Sequence, residues 1–268
     1  LRILCELTDV NHYQDNTWSG VFVDYLYYGL AFASERSFTE EQTSALFSIL
    51  KNVFEHAFPI EQICVLPVGA EEGLFKPQAK PANHIPEALF FGTFIGLQGA
   101  TYIAEAVAHY QGPVCRLTFL GTGPDRATCE AIVRRVSNPR VHVAFEEWVP
   151  LIELPARIGA ADLCLGVFGV GDKTNRVIPN KVYQSLACDR PVITMEAEAY
   201  PEELRSHNGG LLWVPAGDPA SIAESLSGAL STQIPGGVDA GVAFASYEKH
   251  FSNQKIREEL SALLTRLV

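Results

Sequence analysis

The chain has 268 residues, 47% of them hydrophobic and 19% charged, the balance of a folded globular protein rather than a disordered one. A formal charge of −11 argues against a nucleic-acid partner while leaving room for a local basic pocket. No apolar run is long enough to span a bilayer and no secretory signal opens the chain, so a cytoplasmic protein is expected, with peripheral contact at the inner face of the membrane still open.

The six cysteines, Cys5, Cys64, Cys115, Cys129, Cys164 and Cys188, form no CxxC pair. Their wide spacing and apolar surroundings predict buried, reduced thiols. The chain opens at Leu1 and its only methionine is Met195, which leads us to expect a fragment of a longer protein.

Residues 1–62 carry the weakest pattern. Leu1–Leu7 has the composition of a strand, Asp9–Gly20 is polar and turn-like, and Val21–Ala33 is apolar and aromatic, with Tyr25, Tyr27 and Tyr28. Thr39-Glu40-Glu41-Gln42 is a capping box opening a helix that ends near His56, with Leu46, Ile49, Leu50 and Phe54 on one face. Ile63–Pro67 follows as a short strand. Residues 76–86 carry three prolines and read as a linker.

From Ala88 onward the alternation is regular. Strands are predicted at Ala88–Phe91, Cys115–Leu120, Val141–Phe145, Leu163–Phe168, Pro191–Thr194 and Leu211–Val214. Helices are predicted at Ala100–Tyr110, Pro124–Val136, Ile152–Ala160, Asn180–Ala187, near Pro201–Arg205, and at Pro219–Leu230. Strands alternating with helices through short loops predict an α/β fold, a doubly wound parallel sheet covered on both faces. Gly241–Val268 is helical, with Ser252 capping its second segment and Ile256, Leu260, Leu263, Leu264 and Leu267 on one face.

The stretch from Phe168 to Thr194 organises the rest. A polar loop holding Lys173, Thr174, Asn175 and Arg176 joins one strand to a helix that starts near Pro179, with Asn180 and Lys181 in its first turn. A single basic residue in a loop is usually solvated surface. Lys173, Arg176 and Lys181 together, beyond the carboxyl end of a parallel strand and beside a helix start, point to an anionic ligand. Gln184, on the first turn of that helix, either bridges sugar hydroxyls or is simple helix surface.

Gly92-Thr93, Gly99 and Gly121-Thr122-Gly123 each fall between a strand and a helix, where glycine lets a backbone approach a phosphate. Ordinary βα turns use glycine in the same way. Trp148, at a strand end, either stacks on a base or packs in the core. GxGxxG, P-loop, HExxH and GxSxG motifs are absent, which removes support for dinucleotide, nucleotide-hydrolase, zinc-protease and serine-hydrolase chemistry.

Residues 63–268 resemble the C-terminal half of the GT-B glycosyltransferases of family 4, the group 1 type. The likeness runs through Val65–Glu72 and Phe75-Lys76-Pro77, similar to the family's hinge. It continues through Phe91-Gly92-Thr93 and Leu97-Gln98-Gly99, similar to its G-x-x-x-x-x-K-G loop. Leu120-Gly121-Thr122-Gly123-Pro124, Pro179–Ala187 and Arg190-Pro191-Val192 complete it.

The resemblance implies a Rossmann-like C-terminal domain binding a nucleotide-diphosphate sugar donor, whose sugar passes to a glycan, lipid or small-molecule acceptor. It implies no metal or other cofactor, with basic side chains serving in place of a cation. Gly92, Thr93, Gln98, Gly99, Gly121, Gly123, Trp148, Lys173, Thr174, Arg176, Asn180, Lys181 and Gln184 would line the donor site. The sequence departs from the pattern at two places. Gln98 stands where the family's loop carries lysine, and Arg176 and Gln184 stand where it commonly carries two glutamates.

The implied organisation is a partial acceptor-side segment with hinge over 1–75, a donor domain over 76–240, and C-terminal helices over 241–268 packing back on the N-terminal part. Residues 1–62 are short for a complete acceptor domain, which typically takes on the order of a hundred residues. Binding without turnover is therefore expected, and a non-catalytic nucleotide-sugar-binding module of a polysaccharide-assembly system is the alternative.

Overall fold

A computed structural model describes residues 2–5, 63–79, 83–206, 209–231 and 241–265. The chain divides into two compact units, 1–68 together with 256–268, and 69–255. In the first, strand β1 (Arg2–Cys5) runs parallel to β2 (Ile63–Leu66), with Arg2 opposite Ile63 and Cys5 opposite Leu66. The expected helix from Thr39 to His56 and the aromatic run Tyr25–Tyr28 lie outside the described residues.

The second unit is built on a six-stranded sheet. Its elements in chain order are β3 (Glu87–Phe91), α1 (Ala100–Ala106), β4 (Cys115–Leu120), α2 (Arg126–Arg135), β5 (Val141–Glu146), α3 (Leu154–Ala160), β6 (Leu163–Leu165), α4 (Asp172–Asn175), α5 (Asn180–Ala187), β7 (Val192–Met195), α6 (Glu202–Ser206), β8 (Leu211–Val214), α7 (Pro219–Leu230) and α8 (Val242–Phe251). Helix α9 (Asn253–Thr265) follows. The strand order is β5-β4-β3-β6-β7-β8, and every pair is parallel. This is the doubly wound α/β sheet expected from the alternation.

Chain direction across the sheet reverses between β3 and β6. From β3 the chain winds out to β4 and β5. It then returns to β6 on the other side of β3 and winds out to β8. In such sheets the crevice beyond the carboxyl ends of the two strands at the reversal is where ligands bind. Strand β3 is buried along its whole length, as its central place requires.

The two sides of β3 serve different partners. Phe90 joins Ile103 of α1, Cys129 and Ile132 of α2, and Leu226 of α7 in one apolar cluster. Glu87 instead meets Arg157 of α3, whose Nη2 lies 2.8 Å from its Oε1, and accepts the Thr118 hydroxyl at 2.5 Å. Burial disfavours charge on Arg157, but hydrogen bonds to Glu87 and Glu146 outweigh that and raise its pKa.

The structure corrects several predicted bounds. Strand β6 stops at Leu165 rather than Phe168, because Phe168 N–H turns away to donate to the Gln98 carbonyl at 3.1 Å. The helix predicted from Ile152 is a 3-10 turn, Leu151–Glu153, followed by α3, with Pro155 in its first turn. Helix α5 begins at Asn180, so Pro179 is its N-cap rather than its first residue. The loop between β6 and α5 contains the one-turn helix α4. Ser252 caps α9 as predicted, its hydroxyl accepting from Lys255 N–H at 3.2 Å.

The second unit runs from Gly69 to Lys255, so it includes Phe75-Lys76-Pro77 and α8. Tyr247 of α8 explains this, because its hydroxyl accepts from Ala70 N–H at 3.0 Å. Glu72 accepts from Asn253 N–H at 2.7 Å, and Tyr183 of α5 meets Phe251 of α8 edge-on at 5.0 Å. Within the expected linker over 76–86, residues 78 and 79 are held in place: Arg190 donates to the carbonyls of Gln78 and Ala79 and to that of Gly159.

Among the described residues Cys115, Cys129, Cys164 and Cys188 are free and buried. Burial raises all four thiols, pushing Cys129 and Cys188 up to about 12 and Cys164 up to about 11. They therefore stay protonated and serve as packing.

Candidate functional site

Three loops meet beyond the carboxyl ends of β3, β4 and β6, and they interlock through backbone. Phe94 N–H donates to the Thr122 carbonyl at 2.9 Å, and Asp125 N–H donates to the Phe94 carbonyl at 3.0 Å. Gly169, after β6, fits against the carbonyls of Gly96 and Leu97 so closely that an added Cβ would lie 2.5 and 2.3 Å from them. Gly217 N–H, after β8, donates to the Phe168 carbonyl at 2.8 Å.

Gly92 and Gly121 are two of the positions where the backbone favours glycine. Gly121 has φ +124°, and a Cβ there would fall 2.3 Å from the Gly92 carbonyl and 3.1 Å from Trp148 Cζ2. Gly92 has φ +148°, and its missing side chain lets two polar side chains close on its backbone at the sheet reversal. Lys181 Nζ would lie 2.9 Å from a Cβ on Gly92, and Gln98 Oε1 would lie 3.2 Å from it.

Lys181 is only 5% exposed, although basic residues are ordinarily solvated. Its ammonium sits 3.9 Å from the Phe90 ring centroid and 6.0 Å from that of Phe91. The faces of these rings favour a cation. Val182, Tyr183, Leu186 and Ala187 of α5 are buried, and Lys181 lies in the first turn of that helix. Gln98 is 4% exposed, and its Oε1 has no hydrogen-bond partner among the described residues.

The remaining predicted residues spread around this point. Gly99, at φ +67°, is the N-cap of α1 and lies against the backbone of Phe168 and Gly169. Thr93 and Gly123 are half-buried in their loops. Asn180 and Gln184 are half-buried on α5. Lys173 and Arg176 are exposed in the loop after β6. Thr174 is buried, and its hydroxyl donates to the Gly171 carbonyl at 2.5 Å within the α4 turn.

Trp148 was open to two readings, stacking surface or core. It is 46% exposed and lies beside Gly121, so it is not a core residue. Leu151 and Ile152 next to it are exposed as well.

Arg126 is a residue that sequence reasoning missed. Its Nη1 donates to the Gly121 carbonyl at 2.8 Å and pairs with Glu147 at 2.7 Å, while its Nε pairs with Glu130 at 3.2 Å. It fixes the glycine loop from behind. Its only signal in the sequence was a basic residue near a helix start, which ordinarily opposes the helix dipole.

Chemically, the site offers a buried cation, an amide oxygen and an exposed indole along the rim of a parallel sheet. Glu146 and Glu147 do not form a catalytic pair, since Arg157 holds the first at 3.1 Å and Arg126 the second.

Known proteins share this chain's sequence pattern and fold. The sequence pattern of the family described as glycosyl transferases group 1 matches residues 85–232. A probable glycosyltransferase of Pseudomonas aeruginosa, WbjE, is 24% identical over 185 residues, covering 66% of this chain and 44% of the relative. The chain thus spans less than half the length of that relative.

Two solved structures share the fold. One is the C-terminal domain of a glycosyl transferase group 1 family protein, LpcC, of Francisella tularensis, at 18% identity and a TM-score of 0.55, covering 69% of this chain and 100% of that one. The other is Anabaena HepE in complex with UDP and glucose, at 14% identity and a TM-score of 0.62, covering 98% of this chain and 71% of that one.

Proposed function

We propose, from the premise that the chain belongs to the group 1 glycosyl transferases, that its second unit holds a nucleotide-diphosphate sugar donor in the crevice between the β3 and β6 loops. The donor's sugar then passes to a glycan, lipid or small-molecule acceptor. The observation that carries this reading is the ammonium of Lys181, buried at the sheet reversal beneath Gly92.

A cation held there meets the diphosphate as negative charge develops on the leaving nucleotide, which is electrostatic catalysis. Lys173 and Arg176 would add charge from the loop above, and Gly92, Thr93, Gly99, Gly121 and Gly123 would give backbone close approach. Trp148 would face the base, and Asn180 and Gln184 the sugar. No metal is part of this proposal, because basic side chains neutralise the phosphates. That HepE was solved with UDP and glucose supports a nucleotide sugar as the ligand class.

A second reading is supported by Arg176 and Gln184, neither of which is acidic: a nucleotide-sugar-binding module without turnover. Thermal shift with UDP, GDP and ADP tests what both readings share, because a ligand that binds only the folded state raises its stability. Stabilisation by at least one is expected, and no shift at millimolar concentration would sink the donor site. Transfer from a bound donor to a panel of lipid and sugar acceptors, unaffected by EDTA, separates the enzyme from the module.

A further inference from the structure

The amino ends of β3, β4 and β5 lie at the opposite end of the sheet from the crevice, and exposed arginines gather there. Arg116 N–H donates to the Pro86 carbonyl and Cys115 N–H to the Arg140 carbonyl, each at 2.8 Å, so three chain segments run side by side. Arg116 stands opposite His142 in the parallel register, and Arg116, Arg140 and His142 are all exposed. Arg134 and Arg135, in the last turn of α2, are exposed too. Between Pro113 and His142 five arginines stand against two acids, Asp125 and Glu130, in a chain whose formal charge is −11.

The acids that adjoin these segments are already engaged. Arg157 holds Glu87 at 2.8 Å, and Asp162 accepts from Glu87 N–H at 2.8 Å and from Asn83 Nδ2 at 2.9 Å. Two aliphatic side chains adjoin them as well. Ile85, just before Pro86, is 45% exposed, and Val114, just before Cys115, is 43% exposed.

Exposed cations beside exposed aliphatics suit a surface that is anionic outside and apolar beneath. A nucleic acid would use the cations and leave the aliphatics in water, and the net charge of −11 opposes so long a polyanion. We propose that this end of the sheet docks on the anionic headgroups of a lipid bilayer. Arg116, Arg140, Arg134 and Arg135 meet the headgroups, while Ile85 and Val114 enter the boundary below them. The surface goes beyond the donor-site reading and does not depend on it, because the crevice opens at the other ends of the strands.

Sedimentation with vesicles tests this, using phosphatidylcholine alone and phosphatidylcholine with about one third phosphatidylglycerol. The unaltered chain should bind the anionic vesicles at about 50 mM salt despite its own negative charge, and lose most of that binding at about 500 mM. Replacing Arg116 and Arg140 together by glutamine should weaken binding at least about tenfold, on roughly fivefold for each arginine. Replacing both by lysine, which keeps the charge, should hold affinity within about twofold. Lys249→Gln, which removes an exposed cation on α8, should leave binding unchanged.

No binding to the anionic vesicles, equal binding to the neutral ones, or binding that the double glutamine variant keeps would overturn the proposal. So would polyglutamate bound as tightly as the vesicles, which would make an acidic polypeptide the partner. The salt and lipid comparisons use the unaltered chain, so they decide the matter even where a variant melts early.

Discussion

Asp189 caps a helix whose N-cap, Gly241, lies 52 residues further along the chain, its Oδ2 accepting from the Gly241 N–H at 2.8 Å. Its Oδ1 accepts from the Phe244 N–H at 3.1 Å, so two first-turn donors of α8 are satisfied by one side chain. Asp189 itself lies at φ +57°, the left-handed region that aspartate and asparagine tolerate better than most residues. One residue thus ends α5 and starts α8.

Three substitutions separate these two roles. Asp189→Ala should cost about 2 kcal/mol, roughly half from the lost cap and half from alanine in a left-handed conformation. Asp189→Gly should cost only about 1 kcal/mol, since glycine removes the backbone term. Asp189→Asn should cost a few tenths, roughly the difference between two good caps. Urea denaturation measures all three. If alanine and glycine cost the same, the backbone contributes nothing; if asparagine costs as much as alanine, the side chain is not acting as a cap.

Lys181 shows where the sequence was legible and where it was not. The sheet could be read because its central strands are near-continuous apolar runs, as in Ala88–Phe91, and the helix after it because Val182, Tyr183 and Leu186 recur at helical spacing. The burial of Lys181 could not be read, because lysine in a polar stretch ordinarily lies on the surface. It is buried because the strand order reverses beside β3, and that order is set by tertiary pairing. The same gap explains β6. Val167 and Phe168 continue the apolar run, yet Phe168 N–H bonds to the β3 loop once the two strands lie side by side. Thr174 has the composition of a phosphate ligand, but its hydroxyl is taken up by its own turn.

Replacing Lys181 by methionine keeps the buried stem and removes the charge. Binding of whichever nucleoside diphosphate stabilises the chain should weaken by about 1.5–3 kcal/mol, the worth of a hydrogen bond to a charged group. Tm should change by no more than about 4 °C, because a largely buried charge replaced by an apolar group of similar volume is close to neutral for stability. Calorimetric titration and a melting curve on one preparation decide it. Unchanged affinity with a normal melt would remove Lys181 from the site.

Gly121 and Gly73 make a matched pair for testing the interlocked loops. A Cβ on Gly121 would lie 2.3 Å from the Gly92 carbonyl, which is backbone and cannot move aside cheaply. A Cβ on Gly73 would meet nothing within 4 Å. Gly121→Ala should cost at least about 2 kcal/mol through clash and strain, while Gly73→Ala should fall within about 0.5 kcal/mol of the unaltered chain. Indole fluorescence should also shift in Gly121→Ala, since Trp148 Cζ2 lies 3.1 Å from the same point. Comparable stability of the two variants would mean that the loops are not locked together as described.

Asp218 gives the stability a pH dependence whose direction is fixed. It caps α7, with Oδ2 accepting the Ser221 hydroxyl at 2.6 Å and Oδ1 accepting from the N–H groups of Ser221 at 3.2 Å and Ala220 at 3.0 Å. The Ser221 hydroxyl is the largest cause that holds its carboxyl below the usual aspartate value, and the Ser221 and Ala220 N–H groups add to it. A carboxylate whose folded pKa lies below its unfolded value, about 3.9, stabilises the fold fully above that value. The contribution is lost as pH falls through about 3.9 toward the lower, folded pKa. Asparagine at this position caps without titrating. Urea midpoints of the unaltered chain and Asp218→Asn should therefore run close together at about pH 6, and the unaltered chain should lose more of its midpoint between about pH 5 and pH 3. Parallel curves over that range would show that Asp218 has the same proton affinity folded and unfolded, and that its cap does not depend on its charge.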